Sequence, residues 1–430
     1  MLEIFFETYG CTANYNSTEI MKGLVRQAGL NITEDENFAD LIVINSCIVK
    51  TATQEKIRRK IQDLLKKNKK IILAGCMPRL NSKIFPEYQE RNLFFLDTTH
   101  VKDLISLIKD IQENNYLQEK YLKWRKEIKL NLPKIPKEKL IGVTQISEGC
   151  LGNCTYCITR LAKGRLFSYP KDEIIKSIKN DLGSGCKEIW LTSQDCASYG
   201  NDAKEFLLPE LLQEICKAKK NFKLRAGMMN PNNVLQILPE LIQIYKDKKI
   251  YKFLHLPIQS GSNRILKAMN RYYKKEDIKK IIKEFRKEFP EIHISTDVIV
   301  GYPGETEKDF NETYELVKFM NPETINISKF GKRPGTRAEK LEEISPGIMR
   351  KRTSKLAQLH KKLCNENQKK FLEKEFEVFA NQKGFGNTYL ARDENYKLFA
   401  VISKEKILGK KVKVKVKKLT PHYLISEMVI

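Results

Sequence analysis

The feature that most restricts how this chain can fold is a run of three closely spaced cysteines, CLGNCTYC, at residues 150–157. Cys150, Cys154 and Cys157 follow a predicted strand, Gly142–Ser147, on a loop whose glycine and asparagine let it wrap around a ligand. Thiolates are the usual ligands of iron–sulfur clusters, and three of them on one loop can bind different irons of one cluster. The spacing therefore predicts a four-iron cluster with one iron left open.

A zinc site and an inert role in the core are the alternatives for these three cysteines. A closed structural zinc site uses four ligands, usually in two pairs. None of the five histidines lies near the loop in sequence, and Cys186 and Cys196 are the nearest further thiols. An iron–sulfur cluster is therefore the favoured interpretation. The amino and carboxylate groups of S-adenosylmethionine could chelate its open iron.

Three more cysteines, Cys11, Cys47 and Cys76, each lie one to three residues past a short apolar strand predicted in the first part of the chain. In a parallel α/β sheet the loops after adjacent strands gather at one edge, so these thiols are expected to converge. The alternative is that they are small buried hydrophobic residues. Convergence predicts a second cluster, again with one iron not bound by protein. The remaining cysteines are interpreted as packing residues: Cys186, Cys196, Cys216 and Cys364.

The order of predicted strands and helices indicates an α/β protein with three parts. Short apolar strands separated by helices predict an N-terminal parallel α/β sandwich at residues 1–112, followed by a charged linker at 113–135. Six further strand–helix units predict a partial (β/α)6 barrel at 136–366, with its site at the carboxyl ends of the strands. β-rich segments predict a small antiparallel β-barrel at 367–430, a kind of domain that often binds nucleic acid.

The charge of the chain favours a polyanionic partner. Its 78 Lys and Arg exceed its 53 Asp and Glu, and the formal net charge of +25 attracts nucleic acid. A Lys-rich composition of the source organism is the alternative explanation. The sequence has no apolar run of membrane-spanning length and no recognisable signal peptide, so a cytoplasmic protein is expected. In that compartment the ten cysteines suit metal binding better than disulfides.

The cysteine pattern resembles that of the radical S-adenosylmethionine superfamily, and nearly the whole chain resembles the methylthiotransferase family within it. Further segments carry this resemblance: HLPIQSG at 255–261, KAMNR at 267–271, DVIVGYPGET at 297–306 and RPGT at 333–336. The resemblance implies an N-terminal domain with an auxiliary cluster, a radical barrel and a C-terminal TRAM barrel. It also implies two [4Fe-4S] clusters and S-adenosylmethionine as cofactors, with Cys150, Cys154 and Cys157 in the catalytic role.

Three substrate classes are familiar in that family. MiaB-like members modify isopentenyladenosine in tRNA, RimO-like members modify a ribosomal-protein aspartate, and MtaB-like members modify threonylcarbamoyladenosine beside the anticodon. The opening TYGCTAN at 8–14 and the segments at 162–170, 191–200 and 225–231 resemble the archaeal and eukaryotic branch of the MtaB-like group. Lys163 departs from the family's usual arginine before Gly164, so the contact made there is expected to differ.

The resemblance implies a tRNA methylthiotransferase that converts N6-threonylcarbamoyladenosine at position 37 into its 2-methylthio derivative. The anticodon loop of tRNA, an electron donor and a sulfur donor are the implied partners, and no membrane is involved. Two alternatives remain. One is a RimO-like enzyme acting on a ribosomal protein, and the other is a non-catalytic RNA-binding regulator whose clusters sense redox state.

Polar residues near the carboxyl ends of the barrel strands are candidates to bind the cofactor. Arg225 would bind a carboxylate of cofactor or substrate, or instead form a salt bridge across the barrel. The alternative for Gly301 and Glu305 is an ordinary strand-to-helix turn, and Asp297 is alternatively a buried polar group of the core. The resemblance also implies that an aromatic residue in the cysteine loop lies against the adenine. The candidates are Tyr156, Gln194, Asp195, Arg225, Gln259, Asp297, Gly301 and Glu305.

The C-terminal segment KVKVKVK at 411–417 carries the physical argument for RNA binding. With the period of two that a strand has, its lysines share one face and its valines pack the other. Like charges along one face repel each other unless a polyanion neutralises them. The alternative is that the lysines only protect an exposed strand edge. The predicted RNA-binding residues are Lys411, Lys413, Lys415 and Lys417.

Overall fold

The structure is a computed structural model that describes residues 2–80 and 92–429, and it begins with a five-stranded parallel sheet. The strands are β1 (Glu3–Thr8), β2 (Asn31–Thr33), β3 (Leu41–Ser46), β4 (Lys70–Gly75) and β5 (Leu93–Asp97). They lie in the order β2-β1-β3-β4-β5, and each neighbouring pair is parallel. The central strand β3 is buried throughout, as its continuous apolar sequence predicts.

Helices cover both faces of this sheet. α1 (Thr12–Gln27) and α3 (Leu104–Gln112) pack on one face, and α2 (Thr51–Lys66) packs on the other. Successive side chains of β3 alternate between the faces, so that Ile42 lies in the core under α2 and Val43 in the core under α1. The predicted N-terminal α/β sandwich is confirmed.

The middle part of the chain is an open barrel of six parallel strands. Its strands, with a short hairpin pair β7/β8, are β6 (Ile141–Gln145), β7 (Ser147–Glu148), β8 (Phe167–Ser168), β9 (Glu188–Thr192), β10 (Lys223–Arg225), β11 (Phe253–His255), β12 (His293–Val300) and β13 (Thr324–Lys329). Strands β6, β9 and β10 form one sheet, β11, β12 and β13 form another, and a bridge from Leu224 to Ile250 joins them. The predicted partial barrel is confirmed.

The third strand of the barrel, β10, is shorter than the sequence predicts. The pattern of residues predicts a strand that continues to Met228, but after Arg225 the chain turns across the mouth of the barrel. There Met228 accepts a backbone hydrogen bond from Cys196 (2.8 Å), and Met229 donates one to His255 (2.9 Å). These bonds to neighbouring loops satisfy the backbone groups that a longer strand would have paired in its ladder.

Helices surround the barrel, and the side chains of its strands alternate between the helices and the interior. Leu224, Leu254 and Ile294 pack under the helices, whereas their neighbours Arg225 and Phe253 contact each other inside the barrel. The helices of this part are α4 (Thr159–Lys163), α5 (Lys171–Gly183), α6 (Leu208–Cys216), α7 (Pro231–Val234), α8 (Leu238–Tyr245), α9 (Asn263–Ala268), α10 (Lys275–Glu288), α11 (Glu307–Met320) and α12 (Pro346–Gln368).

The C-terminal part is a closed five-stranded barrel in the order β14-β15-β16-β18-β17. Its strands are β14 (Glu375–Lys383), β15 (Thr388–Arg392), β16 (Leu398–Ile402), β17 (Lys411–Leu419) and β18 (Leu424–Met428). The predicted small barrel is confirmed, although one pair, β16 with β18, is parallel. Val412, Val414 and Val416 lie in its core, as the alternating pattern predicts.

The C-terminal barrel docks against the amino ends of the central barrel strands. Tyr396, in the turn between β15 and β16, is buried with its ring 4.6 Å from that of Phe253 and 5.0 Å from that of Tyr251. Asn381 Nδ2 donates a hydrogen bond to Glu188 Oε1 (2.9 Å) beside these rings. The cysteine loop, between β7 and β8, lies at the opposite end, where the strands end at their carboxyl side.

The N-terminal domain is held to the central barrel partly through the close approach of the linker to α1. A Cβ atom added to Gly23 would lie 2.2 Å from the carbonyl oxygen of Pro133, so only glycine fits this contact. In the described part of the chain, no helix is both long enough and apolar enough to cross a membrane.

We expect Gly23→Ala to destabilise the protein by about 1–3 kcal/mol, because the added methyl group meets backbone that cannot rotate away. The matched control is Gly183→Ala at the end of α5, where an added Cβ has no neighbour within 4 Å. That change is expected to be neutral or to stabilise by up to about 1 kcal/mol, because alanine restricts the unfolded chain. Urea unfolding of both metal-free variants checks this, and equal stability of the two would contradict the packing described.

Candidate active site

The cysteine loop at 150–157 is shaped by its backbone so that its three thiols face a common space. Gly149 has φ +80°, and a Cβ there would lie 2.1 Å from the carbonyl oxygen of Arg165, so the loop base requires glycine. Cys150 N donates to Gly164 O (3.2 Å), and Cys157 N donates to Cys154 O (3.2 Å). All three cysteines are partly buried.

Burial raises the pKa of the Cys157 thiol, and the charge of Arg271 opposes that shift. Burial raises the pKa of the Cys150 thiol to about 12. Arg271 Nη1 lies 3.3 Å from Cys154 Sγ, and Arg271 Nη2 donates to Asn230 Oδ1 (3.2 Å). The described residues include no three His, Cys, Asp or Glu side chains placed to hold one metal ion. Three free thiols on one loop are the donor set that a four-iron cluster uses, each binding a different iron, and in this respect the residues fit such a cluster.

Two predicted cofactor residues, Gln194 and Asp195, lie beside the base of the cysteine loop. Gln194 Oε1 accepts a hydrogen bond from Gly149 N (2.7 Å), which fixes the start of the loop. Asp195 accepts from Asn230 N (3.0 Å) and Asn233 Nδ2 (2.6 Å). Burial raises the pKa of Asp195 to about 6 against these hydrogen bonds.

Other predicted cofactor residues lie around the same mouth of the barrel. Tyr156 packs on a small apolar cluster that includes Tyr302. Gln259 has φ +62°, and its backbone forms hydrogen bonds with β12 through both its N–H and its C=O. Gln259 N donates to Asp297 O (2.9 Å). Glu305 is buried, and its Oε2 accepts from Gly301 N (2.9 Å) and from Arg352 Nη1 (2.8 Å). Glu305 and Gly301 therefore tie the turn after β12 to α12, as the strand-to-helix alternative anticipated, and contact with the cofactor stays a prediction for both.

The second set of cysteines converges at the carboxyl edge of the N-terminal sheet. Asn14 Oδ1 lies 3.6 Å from Cys11 Sγ and 3.9 Å from Cys76 Sγ. A Cβ on Gly10 would lie 3.2 Å from Cys47 Sγ, so Cys47 borders the same space. Burial raises the pKa of Cys76 to about 12 and also raises that of Cys47. The predicted convergence of the three loops is thus present in the structure.

A buried group of three charges lies next to this second trio. Glu148 Oε1 is 3.0 Å from Lys163 Nζ and Glu148 Oε2 is 2.6 Å from Lys129 Nζ, with all three side chains at most 6% exposed. Burial alone would raise the pKa of Glu148, but the two ammonium groups lower it to about 2. Lys163 also interacts with the charges of Cys76 and Cys11. Two lysines sharing one carboxylate leave one positive charge, which faces the thiols.

Arg333 lies between the two trios. Its Nη2 donates to Val49 O (2.8 Å) and its Nη1 to Gln54 Oε1 (2.9 Å), which are both in the N-terminal domain. Burial lowers the pKa of Arg333, and the charges of Cys47 and Cys157 oppose that shift. One guanidinium thus interacts with a cysteine of each trio.

The barrel interior below the cysteine loop is polar. His255 Nε2 lies 2.7 Å from Asp297 Oδ2, and Asn326 Nδ2 donates to Asp297 Oδ1 (2.9 Å). Burial alone would raise the pKa of Asp297, but the hydrogen bond and charge of His255 lower it. The side chains of His255 and Asp297 are 18% and 30% exposed, so solvent reaches them. The salt bridge considered for Arg225 is not formed with any residue that the structure describes.

The lysines on the exposed face of β17 are paired with glutamates, which the sequence pattern did not predict. The four lysines do share one face, but Lys411 pairs with Glu377, Lys413 with Glu375, and both Lys415 and Lys417 with Glu373, at 2.6–3.4 Å. The argument from mutual repulsion is therefore wrong, because the segment leading into β14 and β14 itself supply the opposite charges. Four lysines against three glutamates leave one positive charge on this face. RNA binding by these lysines stays a prediction.

Sequence reasoning missed several residues that the structure brings to the site. Asn14, Arg271 and Arg333 lie in segments that resemble a known family, but the pattern of residues assigns them no role. Their settings differ: Asn14 lies within the helix α1, whereas Arg271 and Arg333 are single charged residues in loops. The predicted packing role is confirmed for Cys186, Cys196 and Cys216, which lie in the main core. Cys364 is also buried, with its Sγ 3.1 Å from His360 Nε2.

Models of known families match three parts of the chain. Uncharacterized protein family UPF0004 matches residues 3–95, the Radical SAM superfamily matches residues 144–317, and the TRAM domain matches residues 372–429. In fold, the chain is similar to a radical S-adenosylmethionine methyltransferase, TsrM, from Kitasatospora setae, with a TM-score of 0.58 at 12% identity over 79% of this chain and 77% of that chain.

Curated relatives match over nearly the full length. The chain is 37% identical to the probable threonylcarbamoyladenosine tRNA methylthiotransferase of Pyrococcus horikoshii, with 100% of both chains covered. It is 38% identical to the protein of the same description in Archaeoglobus fulgidus, with 99% of both covered. It is 33% identical to the threonylcarbamoyladenosine tRNA methylthiotransferase of Homo sapiens, over 99% of this chain and 74% of that protein.

The buried charge group predicts which of two substitutions destabilises the protein more. Glu148→Gln removes the carboxylate that both buried ammonium groups share and is expected to destabilise the metal-free protein by about 3–5 kcal/mol. Lys163→Met leaves Lys129 paired with Glu148, so its cost in the same protein is expected to stay below about 2 kcal/mol.

Urea unfolding of the metal-free variants measures both effects. The control is Glu210→Gln, which breaks the exposed pair with Lys171 and should cost less than about 1 kcal/mol. Equal losses for Glu148→Gln and Lys163→Met would contradict the assignment of Lys163 as the surplus cation.

Proposed function

The chain belongs to the threonylcarbamoyladenosine tRNA methylthiotransferase family, and on that premise we propose how its residues divide the work of the reaction. The protein is a radical S-adenosylmethionine enzyme with two [4Fe-4S] clusters, and it converts N6-threonylcarbamoyladenosine of tRNA into its 2-methylthio derivative. The observation that carries the division of roles is the position of Arg333, whose charge interacts with Cys47 of one trio and Cys157 of the other.

Cys150, Cys154 and Cys157 hold the cluster that binds S-adenosylmethionine, and Cys11, Cys47 and Cys76 hold the auxiliary cluster. When bound, the clusters and S-adenosylmethionine supply radical chemistry for an unreactive adenine carbon and the methylated sulfur that is attached to it. Two supports favour this assignment of ligands. Cys11, Cys47 and Cys76 come from three loops at one edge of a parallel sheet, and Cys150, Cys154 and Cys157 come from one loop after the first barrel strand. Each trio also has a cation beside it, Arg271 in one case and Lys163 in the other.

The side chains around the first trio hold the cysteine loop and the cofactor in place and do not take part in the chemical steps themselves. Gln194 holds the start of the cysteine loop through Gly149 N, and Arg271 joins that loop to Asn230. Asp195 faces Cys150 from a buried position and is a candidate hydrogen-bond acceptor for the cofactor's polar groups. Tyr156, Gln259 and Asp297 line the same mouth, and we assign them to cofactor or substrate contact.

The second trio is separated from the first by Arg333, which also fastens the N-terminal domain to the loop after β13. That fastening places both trios at one mouth, where a single flipped adenine could meet them both. The positive charge left on Lys163 offsets the negative charge that three thiolates bring to the site. A RimO-like activity on a ribosomal protein is not favoured, because the relatives at this similarity are described as tRNA enzymes.

The three domains share the task along the boundaries expected from the sequence. Residues 1–112 carry the auxiliary cluster, 113–135 link the domains, 136–366 carry the radical site, and 367–430 bind RNA. The reaction consumes electrons and a sulfur atom, and we therefore propose an electron donor and a sulfur donor as further partners. A cytoplasmic location, where tRNA is available, follows from the substrate.

Replacing each trio separately tests the division of roles. The variant with Cys11, Cys47 and Cys76 changed to Ala should keep about four irons per chain and still release 5′-deoxyadenosine, but it should form no methylthio nucleoside. The variant with Cys150, Cys154 and Cys157 changed to Ala should lose both products. Anaerobic reconstitution with threonylcarbamoylated anticodon stem-loop, followed by nucleoside mass spectrometry, measures each outcome.

The control for these variants is Cys216→Ala, which removes a core thiol remote from both trios. It should keep about eight irons and both products. Methylthio product from the first variant would refute the assignment of the auxiliary cluster, and no methylthio product from the wild-type enzyme would refute the function.

The lysine face of β17 is tested through the salt dependence of tRNA binding. The double change Lys413→Gln and Lys415→Gln is expected to weaken binding and to reduce the slope of log affinity against log salt by about one for each phosphate that these lysines bind. The control is Lys279→Gln with Lys283→Gln on α10, which removes the same charge elsewhere. An unchanged slope in the β17 variant would show that the glutamates of β14 already occupy these lysines.

A further inference from the structure

Arg225 occupies an aromatic box inside the central barrel. Its guanidinium carbon lies 4.9 Å from the ring of Trp190, 5.2 Å from that of Phe253 and 5.6 Å from that of Tyr396. The rings come from β9, from β11 and from the C-terminal barrel. They fix the plane of the guanidinium and offset part of the cost of removing it from water.

No acidic side chain in the described ranges pairs with Arg225, and its Nε is buried without a hydrogen-bond partner. Two carboxylates of the barrel are already hydrogen-bonded to other groups. Glu188 accepts from Tyr251, from Asn381 and from Trp190 Nε1 (3.1 Å), and Asp297 accepts from His255 and Asn326. A partly buried guanidinium without its own anion is costly unless a ligand supplies one.

The surroundings of Arg225 are positively charged. Burial lowers the pKa of His293 well below its usual value, and Lys397, Arg392, Arg225 and His255 lower it further. Asp393 and Glu394 lie in the same turn as Tyr396. Asp393 accepts from Lys397 N (2.8 Å), and burial raises its pKa to about 6, which weakens it as a counter-charge.

The depth of Arg225 separates it from the cofactor's end of the barrel. Leu224 pairs with Ile250 in a parallel bridge, and Tyr251 N donates to Leu224 O (2.9 Å), which places Arg225 level with Tyr251 and four residues below His255. At about 3.3 Å per residue, its backbone lies about 13 Å farther from the mouth than that of His255. Arg271, beside Cys154, is the cation at the mouth itself.

We propose that Arg225 binds the carboxylate of the threonylcarbamoyl group and thereby selects the modified adenosine. This rests on the proposed function, in which the base enters the mouth with its C2 toward the cysteine loop. The N6 substituent then reaches down the barrel, and its free threonine carboxylate meets the planar fork of Arg225, a geometry that arginine binds in two-pronged fashion. Tyr396 forms one side of the aromatic box that holds Arg225, so the C-terminal barrel contributes to substrate selection.

The test measures binding to the anaerobically reconstituted holoenzyme without reductant, so that no turnover occurs. The probes are three anticodon stem-loops, which carry threonylcarbamoyladenosine, its carboxylate methyl ester or unmodified adenosine at the same position. The wild-type enzyme should prefer the free carboxylate over the ester by about tenfold or more, because the ester removes the charge. Arg225→Met should lower that preference to about twofold or less, and Arg225→Lys should retain part of it.

Two further measurements make the result specific to Arg225. S-adenosylmethionine affinity, measured by equilibrium dialysis, should change by less than about twofold in Arg225→Met, since a decrease of about tenfold would indicate that Arg225 binds the cofactor's carboxylate. The control Lys223→Met removes a cation from the same strand, where Lys223 Nζ donates to Lys248 O (2.7 Å), and it should keep the full preference.

Two other outcomes of these measurements overturn the inference. An unchanged preference in Arg225→Met means that the carboxylate binds elsewhere, and a decrease in S-adenosylmethionine affinity with preference intact assigns Arg225 to the cofactor. If Arg225→Met does not bind iron like the wild type, Arg225→Lys decides by the same two measurements. The proposed function fails separately, if the wild-type enzyme forms no methylthio product from the threonylcarbamoylated stem-loop.

Discussion

Both groups of thiols depend on one constraint, which is that parallel strands release their following loops at a single edge of the sheet. Cys11, Cys47 and Cys76 come from loops far apart in sequence, yet each follows a strand of the same five-stranded sheet. Cys150, Cys154 and Cys157 follow the first strand of the barrel. The two edges face each other across a domain interface. The loop after β13 contributes Arg333, which bonds Val49 and Gln54, and the central domain contributes Glu148, which accepts from Thr98.

The positions of the cations follow from the burial of the thiols. Burial raises the pKa values of Cys76 and Cys150, so thiolates form there only when a metal replaces the proton. The negative charge that then remains needs a counter-charge that is already in place, because long surface side chains cannot enter a packed region at no cost. Lys163 is such a charge, since Glu148 has Lys129 as a second partner. In the proposed function, the lysine that stands where the family usually has arginine therefore belongs to the auxiliary site.

The sequence was sufficient for the features that are set locally. Apolar strands, the cysteine spacing and the alternation of Val412, Val414 and Val416 each follow from residues within one segment. The sequence was insufficient where a side chain interacts with a residue far away in the chain. The glutamates that pair with the β17 lysines lie about 40 residues earlier in the chain, and the strand pattern gives no sign of them. The aromatic box of Arg225 likewise depends on Tyr396, which comes from another domain.

Tyr396 also explains why the C-terminal barrel is more than an attached RNA-binding module. Its ring lies against Phe253 and Tyr251, and Asn381 completes the hydrogen bonding of Glu188. Apolar rings of this size contribute most when water is excluded from them, so the docked barrel stabilises the floor of the central one. In the proposed function, the surface that contacts the RNA backbone and the pocket that receives one base therefore lie on bodies joined by buried side chains. We then expect that packing to set the distance between the two, so that an RNA is accepted when its modified base reaches the pocket while its backbone lies on the C-terminal barrel.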